Sequence, residues 1–358
     1  MNVAIIYGGK SAEHEISLRS AKNVFDDLDR SRFNPVLIKI TKDGRWLTDI
    51  NKAIEMSFSE ISDFGSFEPE DEVLLFPGSE FPFVLRGREE YKFRIDVVFP
   101  VLHGPNGEDG TVQGLFKLLG IPFVGSSLLG SAIGMDKEVM KRLLTHAGIT
   151  IGDYISARNG FIPDFEEVKS LLGLPVFIKP ANMGSSVGIT KVWNESQYSP
   201  AIELAYKYDF KIVIEAHIDG KEIECAVMGN ENPEASVTGE IRAKKEFYDY
   251  EAKYLDDHGY EIIIPSGLGS ETDKLIREIA VNTYQVLECE GLGRVDFFLT
   301  KDNEVIVNEI NTIPGFTSIS MYPMLWRESG ISYKDQISKL IDLAVSRYKS
   351  EKKLKNSL

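Results

Sequence analysis

Cysteine is almost missing from this chain: 358 residues contain two, Cys225 and Cys289. They lie too far apart in sequence for a metal or redox pair, which excludes zinc ribbons, thioredoxin-like motifs and a disulfide framework. Each stands in an apolar-periodic segment and reads as a buried free thiol, the usage of a reducing compartment. Long apolar runs are missing too. Nowhere do about 18 consecutive apolar residues occur, so no membrane-spanning helix is expected. The start, Met1-Asn2-Val3-Ala4-Ile5-Ile6-Tyr7, has no charged n-region or cleavage site and runs straight into a strand. No signal peptide is expected there, and the expected location is the cytoplasm. Positive charge is short: 40 Lys and Arg against 55 Asp and Glu leave a net charge of −15. Without a basic face, nucleic acid is not an expected partner. The one basic cluster, at 349–355, reads as a solvated helix end.

What is present is ordinary for a globular protein, 43% hydrophobic and 27% charged residues, with length for two or three domains. The first third alternates strand and helix. Asn2–Tyr7, Val36–Ile40 and Asp96–Leu102 read as strands, and Glu15–Leu28 and Thr111–Leu119 as helices. Such alternation predicts a doubly wound, mostly parallel sheet. The stretch 51–94 is acidic and irregular, an insertion or an edge. In the middle, a helix over Asp136–Thr145 precedes a strand, Val176–Ile178, that ends in Lys179-Pro180. A strand over Ile189–Val192 and a helix over Gln197–Tyr208 follow. The last section shows strands at Ile212–Glu215, Glu222–Met228, Ile262–Ile264, Val295–Thr300 and Glu304–Glu309, with helices near Thr272–Glu288 and Tyr333–Tyr348. Hairpin-like pairs flanked by helices imply an α+β unit after the α/β one. There is no internal repeat and no low-complexity segment.

Two constellations carry chemistry. Asp296 stands in one strand, and Glu309 and Asn311 in the next, across a short turn at Lys301–Asn303. Period two puts Glu309 and Asn311 on one face, and a hairpin register brings Asp296 opposite them. Oxygen donors without His or Cys suit Mg²⁺ and nucleotide phosphates; the bland alternative is a solvated hairpin. The second constellation is Gly184-Ser185-Ser186-Val187-Gly188, just after Lys179. Small residues expose backbone N–H groups that wrap over phosphates, and Lys179 and Lys137 supply point charges. Alone, such a loop is only a turn. A dinucleotide-binding oxidoreductase is a poor reading, because Gly8-Gly9-Lys10 lacks G-x-G-x-x-G spacing. A nucleotide-binding regulator that had lost catalysis would lack the metal ligands that are present here.

Further motifs in order are Gly8-Gly9-Lys10-Ser11-Ala12-Glu13-His14-Glu15-Ile16-Ser17, His103-Gly104-Pro105-Asn106-Gly107-Glu108-Asp109-Gly110, Met135-Asp136-Lys137, Phe247–Tyr254 and Asn308–Thr317. With Lys179-Pro180 and the Gly-Ser-Ser loop, they make the chain resemble the D-alanine–D-alanine ligases of the ATP-grasp superfamily. The resemblance implies a Rossmann-like open-sheet domain over 1–125, a central lid domain over 126–214 and a C-terminal α+β domain over 215–358. It implies ATP as co-substrate, two Mg²⁺ (replaceable by Mn²⁺) on Asp296, Glu309 and Asn311 with Glu309 bridging, D-alanine as substrate, and a homodimer. Lys137, Lys179 and the lid with Ser186 would hold phosphates. Glu215, Ala216 and Ile218 would form the adenine hinge, and Glu222 would meet the ribose. Glu13 would receive the first D-alanine's ammonium; by itself it reads as a helix-start carboxylate. His103 would lie by that substrate's carboxylate, though alone it reads equally as structural. Arg294 and the Gly315 N–H would stabilise the oxyanion, and Ser320 would bind the second carboxylate with Met321 beside it. Lys253 would reach the γ-phosphate, and Tyr254 would join Glu13 and Ser185 in a hydrogen-bond network. D-Alanyl-D-lactate or D-alanyl-D-serine is the alternative product.

Overall fold

Four consecutive residues, Val3 to Ile6, have no exposed surface. A strand buried on both faces belongs in the middle of a parallel sheet, and β1 (Asn2–Gly8) lies there. The computed structural model describes residues 1–55, 58, 64, 67–88, 93–243 and 260–355. After β1 come α1 (His14–Asp27), β2 (Asn34–Ile40), β3 (Trp46–Thr48), α2 (Ile50–Glu55), β4 (Asp71–Leu75), β5 (Phe83–Leu85), β6 (Val97–Val101) and α3 (Thr111–Leu119). The sheet order is β5-β4-β3-β2-β1-β6. Only β2, β1 and β6 run parallel; β3, β4 and β5 add as antiparallel neighbours. The expected mostly parallel sheet is therefore half antiparallel. The reason is local: Thr41 and Arg45 close a tight turn, N to O 2.9 Å, which leaves no length for a helical crossover. The acidic stretch supplies the edge, as β4 and β5.

Two helices, α4 (Leu128–Met135) and α5 (Lys137–His146), meet at Asp136, whose side chain caps the second by accepting the Val139 N–H at 3.0 Å. A second sheet follows, from β7 (Tyr154–Arg158), α6 (Phe165–Leu172), β8 (Val176–Pro180), β9 (Thr190–Val192), α7 (Glu195–Tyr206) and β10 (Lys211–Ala216). Its order is β7-β10-β8-β9, antiparallel throughout, and it encloses its own small core around Ile178, Ile202 and Ile214. The third sheet, β13-β12-β11-β14-β15, contains β11 (Gly220–Gly229), β12 (Glu234–Ala243), β13 (Tyr260–Ile263), β14 (Gly291–Thr300) and β15 (Val305–Asn311). Around it pack α8 (Ser270–Val286), α9 (Met321–Glu328) and α10 (Tyr333–Glu351).

The last two helices join the main core of the first sheet through Leu325, Ile337 and Ile341. Chain ends thus close on each other, and Arg347 fastens the join. It donates to the carbonyls of Gly125 at 2.6 Å and Phe123 at 2.8 Å and lies over the Phe123 ring at 4.6 Å. Both cysteines are buried and free, their thiols pushed up to about 12 by burial, as expected of structural residues. No described helix is long and apolar enough to cross a membrane.

Arg347→Ala leaves two buried carbonyls without a donor. Each costs about 1–3 kcal/mol, so urea unfolding should show a loss of about 3 kcal/mol. A midpoint equal to that of the parent chain would mean that the join does not need Arg347.

Candidate active site

Alternation along β8 sets the first half of the site. Val176 and Ile178 turn into the core of the second sheet, which leaves Phe177 and Lys179 on the opposite face. Strand register then lines up Lys191, Phe177, Glu215 and Tyr154 across four strands. Lys137 and Lys141, one helical turn apart on α5, reach the same space. All of these but Tyr154 line a cleft of ≈ 320 Å³ between the second and third sheets. Glu215 is its electrostatic centre, with Lys179 at 2.5 Å and Lys141 at 3.1 Å. Burial pushes the Glu215 carboxyl up, but the two ammonium groups outweigh it and hold it at about 2. Burial likewise lowers Lys179, and Glu215 more than reverses this. Lys137 is lowered by burial, partly opposed by Glu309 at 3.8 Å, and donates to the Met183 carbonyl at 2.7 Å.

The second half is the β14–β15 hairpin. Asp296 pairs with Glu309 and Arg294 with Asn311, as period two required, with a register shift just after Asp296. Arg294 grips both Asp296 oxygens at 2.7 Å and reaches Glu224 on β11 at 2.8 Å. Burial lowers this guanidinium, yet Asp296 and Glu224 raise it well beyond its ordinary value. Asn311 donates to Asp296 at 3.0 Å. Two carboxylates and an amide are hard donors of the kind Mg²⁺ takes. The donor set fits the metal.

A second cleft of ≈ 470 Å³ lies between the first and third sheets. It contains Glu13, His103, Glu108, Asn311, Gly315, Ser320 and Met321, and shares Gly184, Ser185, Glu224, Ile241, Arg294 and Glu309 with the first cleft. The Ser185 hydroxyl donates to Glu13. Gly104, at φ 76, takes the left-handed conformation that favours glycine, and the Glu13 carboxylate ends 2.7 Å from where a Cβ would stand. His103 donates from Nδ1 to the Ile313 carbonyl at 3.0 Å, and its Nε2 meets the Ser20 hydroxyl at 3.2 Å. Burial lowers the ring, Glu13 opposing, so His103 sits in the cleft as a neutral group with both nitrogens engaged. Ser320 precedes α9, its hydroxyl 2.8 Å from that of Thr317, and a Cβ on Gly315 would lie 3.0 Å from it. The Met321 side chain is buried in the main core at the rim of the cleft.

Between the clefts, Val187 N–H closes on the Gly184 carbonyl at 3.1 Å, with Ser185 at φ 51 and Ser186 at φ 60. Two positive φ values in one turn belong to type I′, where Gly, Asn or Asp is usual. Ser186, Ala216, Ile218 and Glu222 all line the nucleotide-sized cleft. The Ala216 and His217 N–H groups already serve the Asp153 and Pro175 carbonyls, at 3.0 and 3.3 Å. Lys253 and Tyr254 lie outside the described residues. Sequence reasoning missed Lys141, Glu224 and Glu108. Lys141 carried a signal, four residues after Lys137 on one helix face, and Glu108 lay unused inside a quoted motif.

Two family models cover the chain: "D-ala D-ala ligase N-terminus" over residues 2–126 and "D-ala D-ala ligase C-terminus" over residues 143–342. The chain belongs to the D-alanine–D-alanine ligase family. A relative named D-alanine–D-alanine ligase A, from Salmonella typhimurium, is 47% identical over 100% of this chain and 99% of its own. The solved D-alanine–D-alanine ligase from Coxiella burnetii has a TM-score of 0.84 at 34% identity, covering 99% of this chain and 96% of that one. VanG D-Ala:D-Ser ligase from Enterococcus faecalis has a TM-score of 0.82 at 37% identity, covering 96% and 99%. Like these ligases, the chain has the ATP-grasp fold.

The Glu215 carboxyl, lowered from 4.5 to about 2, stabilises the folded state fully above its unfolded pKa and loses that contribution as pH falls toward 2. The amount is on the order of 3 kcal/mol. Glu215→Gln should therefore be clearly less stable than the parent at pH 7, the gap narrowing between pH 5 and 3 in urea titrations. Parallel stability curves across that range would refute the assignment.

Proposed function

We propose that this protein joins two D-alanines at the expense of ATP, through a D-alanyl phosphate, to supply D-alanyl-D-alanine for peptidoglycan precursors. The observation that supports it most is the junction of the two clefts at Ser185, Arg294 and Glu309. A nucleotide in one and an amino acid in the other would meet there. Lys137, Lys179 and the lid amides near Ser186 bind phosphates, and the segment Glu215 to Ile218 with Glu222 accommodates the nucleoside. Mg²⁺ on Asp296, Glu309 and Asn311 would neutralise charge on the phosphates as the transferred group develops it.

Glu13 receives the ammonium of the first D-alanine, whose carboxylate attacks the γ-phosphorus and expels ADP. The second D-alanine docks its carboxylate at Ser320, where the start of α9 favours an anion. Its amine, once deprotonated, attacks the acyl carbonyl. Arg294 and the Gly315 N–H stabilise the oxyanion, and phosphate leaves as the peptide bond forms. No side chain forms a covalent intermediate. The same reading divides the chain near 125 and 214, one sheet to each unit, and assembles it as a homodimer in the cytoplasm.

D-Alanyl-D-serine ligation is the reading to test beside it, given the likeness to VanG. Met321, apolar at the second subsite, favours a methyl group over a hydroxyl, though an apolar wall discriminates by only about 1–3 kcal/mol.

Glu309→Gln keeps the shape but removes a charge from the group that would hold the metal, and should lower the rate on the order of a hundredfold or more with the fold intact. EDTA should stop D-alanine-dependent ADP release; turnover that survives either change would end the metal assignment. Product analysis with D-alanine and excess D-serine or D-lactate should yield mainly D-alanyl-D-alanine at pH 7, and Met321→Arg should weaken that preference. Mostly ester or mostly D-alanyl-D-serine from the unmodified chain would reverse the specificity but not the ligase reading.

A further inference from the structure

Outside both clefts, where α5 begins, lies a cluster of charges to which the ligation steps give no task. Lys211, the first residue of β10, is buried with its ammonium between two carboxylates, Asp136 at 2.5 Å and Glu138 at 2.9 Å. Glu138 also meets two exposed arginines, Arg142 at 2.8 Å and Arg158 at 3.2 Å. Asp136 and Glu138 are the chain neighbours of Lys137 on either side. The backbone repeats the join. The Lys211 carbonyl accepts the Ala181 N–H at 2.9 Å, and the Ala181 carbonyl accepts the Lys137 N–H at 3.1 Å. Beyond Ala181, Asp209 accepts the Asn182 N–H and the Asn182 side-chain amide, each at 2.8 Å. Met183 comes next, and its carbonyl takes the Lys137 ammonium at 2.7 Å.

This join runs between two separate cores. Helix α5 buries Met140 and Leu144 in the core of the third sheet, whereas β8 and β10 bury Ile178 and Ile212 in the core of the second. Lys137 and Lys179 therefore stand on differently packed elements, and neither core by itself sets the spacing between them. Taking Lys211, Asp136 and Glu138 out of water is costly, and apolar side chains of similar volume would bind helix to sheet as well. What ion pairs add to apolar contact is direction and a fixed separation.

We propose that Lys211 is a positioning residue for the nucleotide: by holding Asp136 and Glu138 on either side of Lys137, it sets the spacing of Lys137 from Lys179 and from the lid turn. The inference rests on the ligase reading, which gives Lys137 a phosphate of ATP. A point charge acts on a phosphate through its distance, so a loosened tie lets the Lys137 ammonium drift and weakens the grip on ATP. D-Alanine binds, in that reading, in the other cleft, between the first and third sheets, and does not depend on the tie.

The test measures the Kd of Mg²⁺-ATP by titration calorimetry and KM for D-alanine in turnover assays, both in the full chain. Lys211→Met keeps the length and removes the charge, and should weaken ATP binding on the order of tenfold. KM for D-alanine should stay within about twofold of the parent. The deciding variant is the double one. With Lys137→Ala already in place, adding Lys211→Met should change the ATP Kd by less than about twofold, because a residue that acts through Lys137 has nothing left to act on. Should Lys211→Met not fold, Asp136→Asn, which keeps the helix cap and gives up an ion pair, takes its place in both backgrounds. An ATP Kd unmoved by the single variant would overturn the proposal. So would a loss of the same size on the Lys137→Ala background, or a KM for D-alanine that rises with the Kd, either of which would make the cluster a general support of the fold. A parent chain that binds ATP but makes no dipeptide would sink the ligase reading, while the ATP comparison would still decide on Lys211. A parent chain that binds no ATP would end both.

Discussion

Arg294, buried between two carboxylates, is the constraint on which the catalytic centre depends. Taking three ionised side chains out of water costs several kcal/mol for each ion, and only close, directed pairing offsets that cost. Here the offset comes from a two-pronged grip on Asp296 and a third contact to Glu224 on the neighbouring strand. Because the partners sit on β11 and β14, the pairing fixes the relation between two strands and keeps the guanidinium at the junction of the two clefts. Losing the guanidinium would leave Asp296 and Glu224 buried without the cation that pairs them. The same cluster therefore explains both why these strands are so charged and why their register cannot slip.

Glu215 repeats this logic in the nucleotide cleft. Two lysines that would repel each other, one from a helix and one from a strand, are brought together by one carboxylate. At this end of the cleft two ammonium groups stand against one carboxylate before any phosphate arrives, at a cost that Glu215 limits. Acidic overall, the chain still gathers Lys137, Lys141 and Lys179 on one side of the cleft. A net charge of −15 made nucleic acid an unexpected partner and said nothing against a nucleotide.

Legibility in the sequence followed burial. Strands buried on both faces, such as β1, declare themselves by continuous apolar runs, and the Asp296–Glu309–Asn311 arrangement followed from period two alone. β12 did not. Its alternating residues Ser236, Thr238 and Glu240 are polar yet buried, because the Ala226 N–H, the Ser266 hydroxyl and Lys221 satisfy them. Polarity at inward positions conceals a strand from any reading by hydrophobic period. Elements β3 and β7 were missed for a plainer reason, being short or mostly surface-exposed. Within the site, the residues to which the resemblance gives a role were legible from motifs. Lys141 and Glu224 were passed over, since the groups they pair with, Glu215 and Arg294, are distant in sequence and meet them only on folding.

The lid shows how the two clefts are made to communicate. A turn with Ser185 and Ser186 both left-handed costs about 1–2 kcal/mol per residue relative to an ordinary conformation. Something must hold it, and the Ser185 hydroxyl bonded to Glu13 links it to the first sheet. Lys137, through the Met183 carbonyl, holds the other side. Both holds use groups to which the ligase reading gives a substrate: Glu13 for an ammonium, Lys137 for a phosphate. Arrival of either substrate therefore changes the forces on the turn that covers the other. A strained turn tied at both ends to such side chains keeps its shape only as long as those ties last. That property suits a lid which has to exclude water while an acyl phosphate exists and then release the dipeptide.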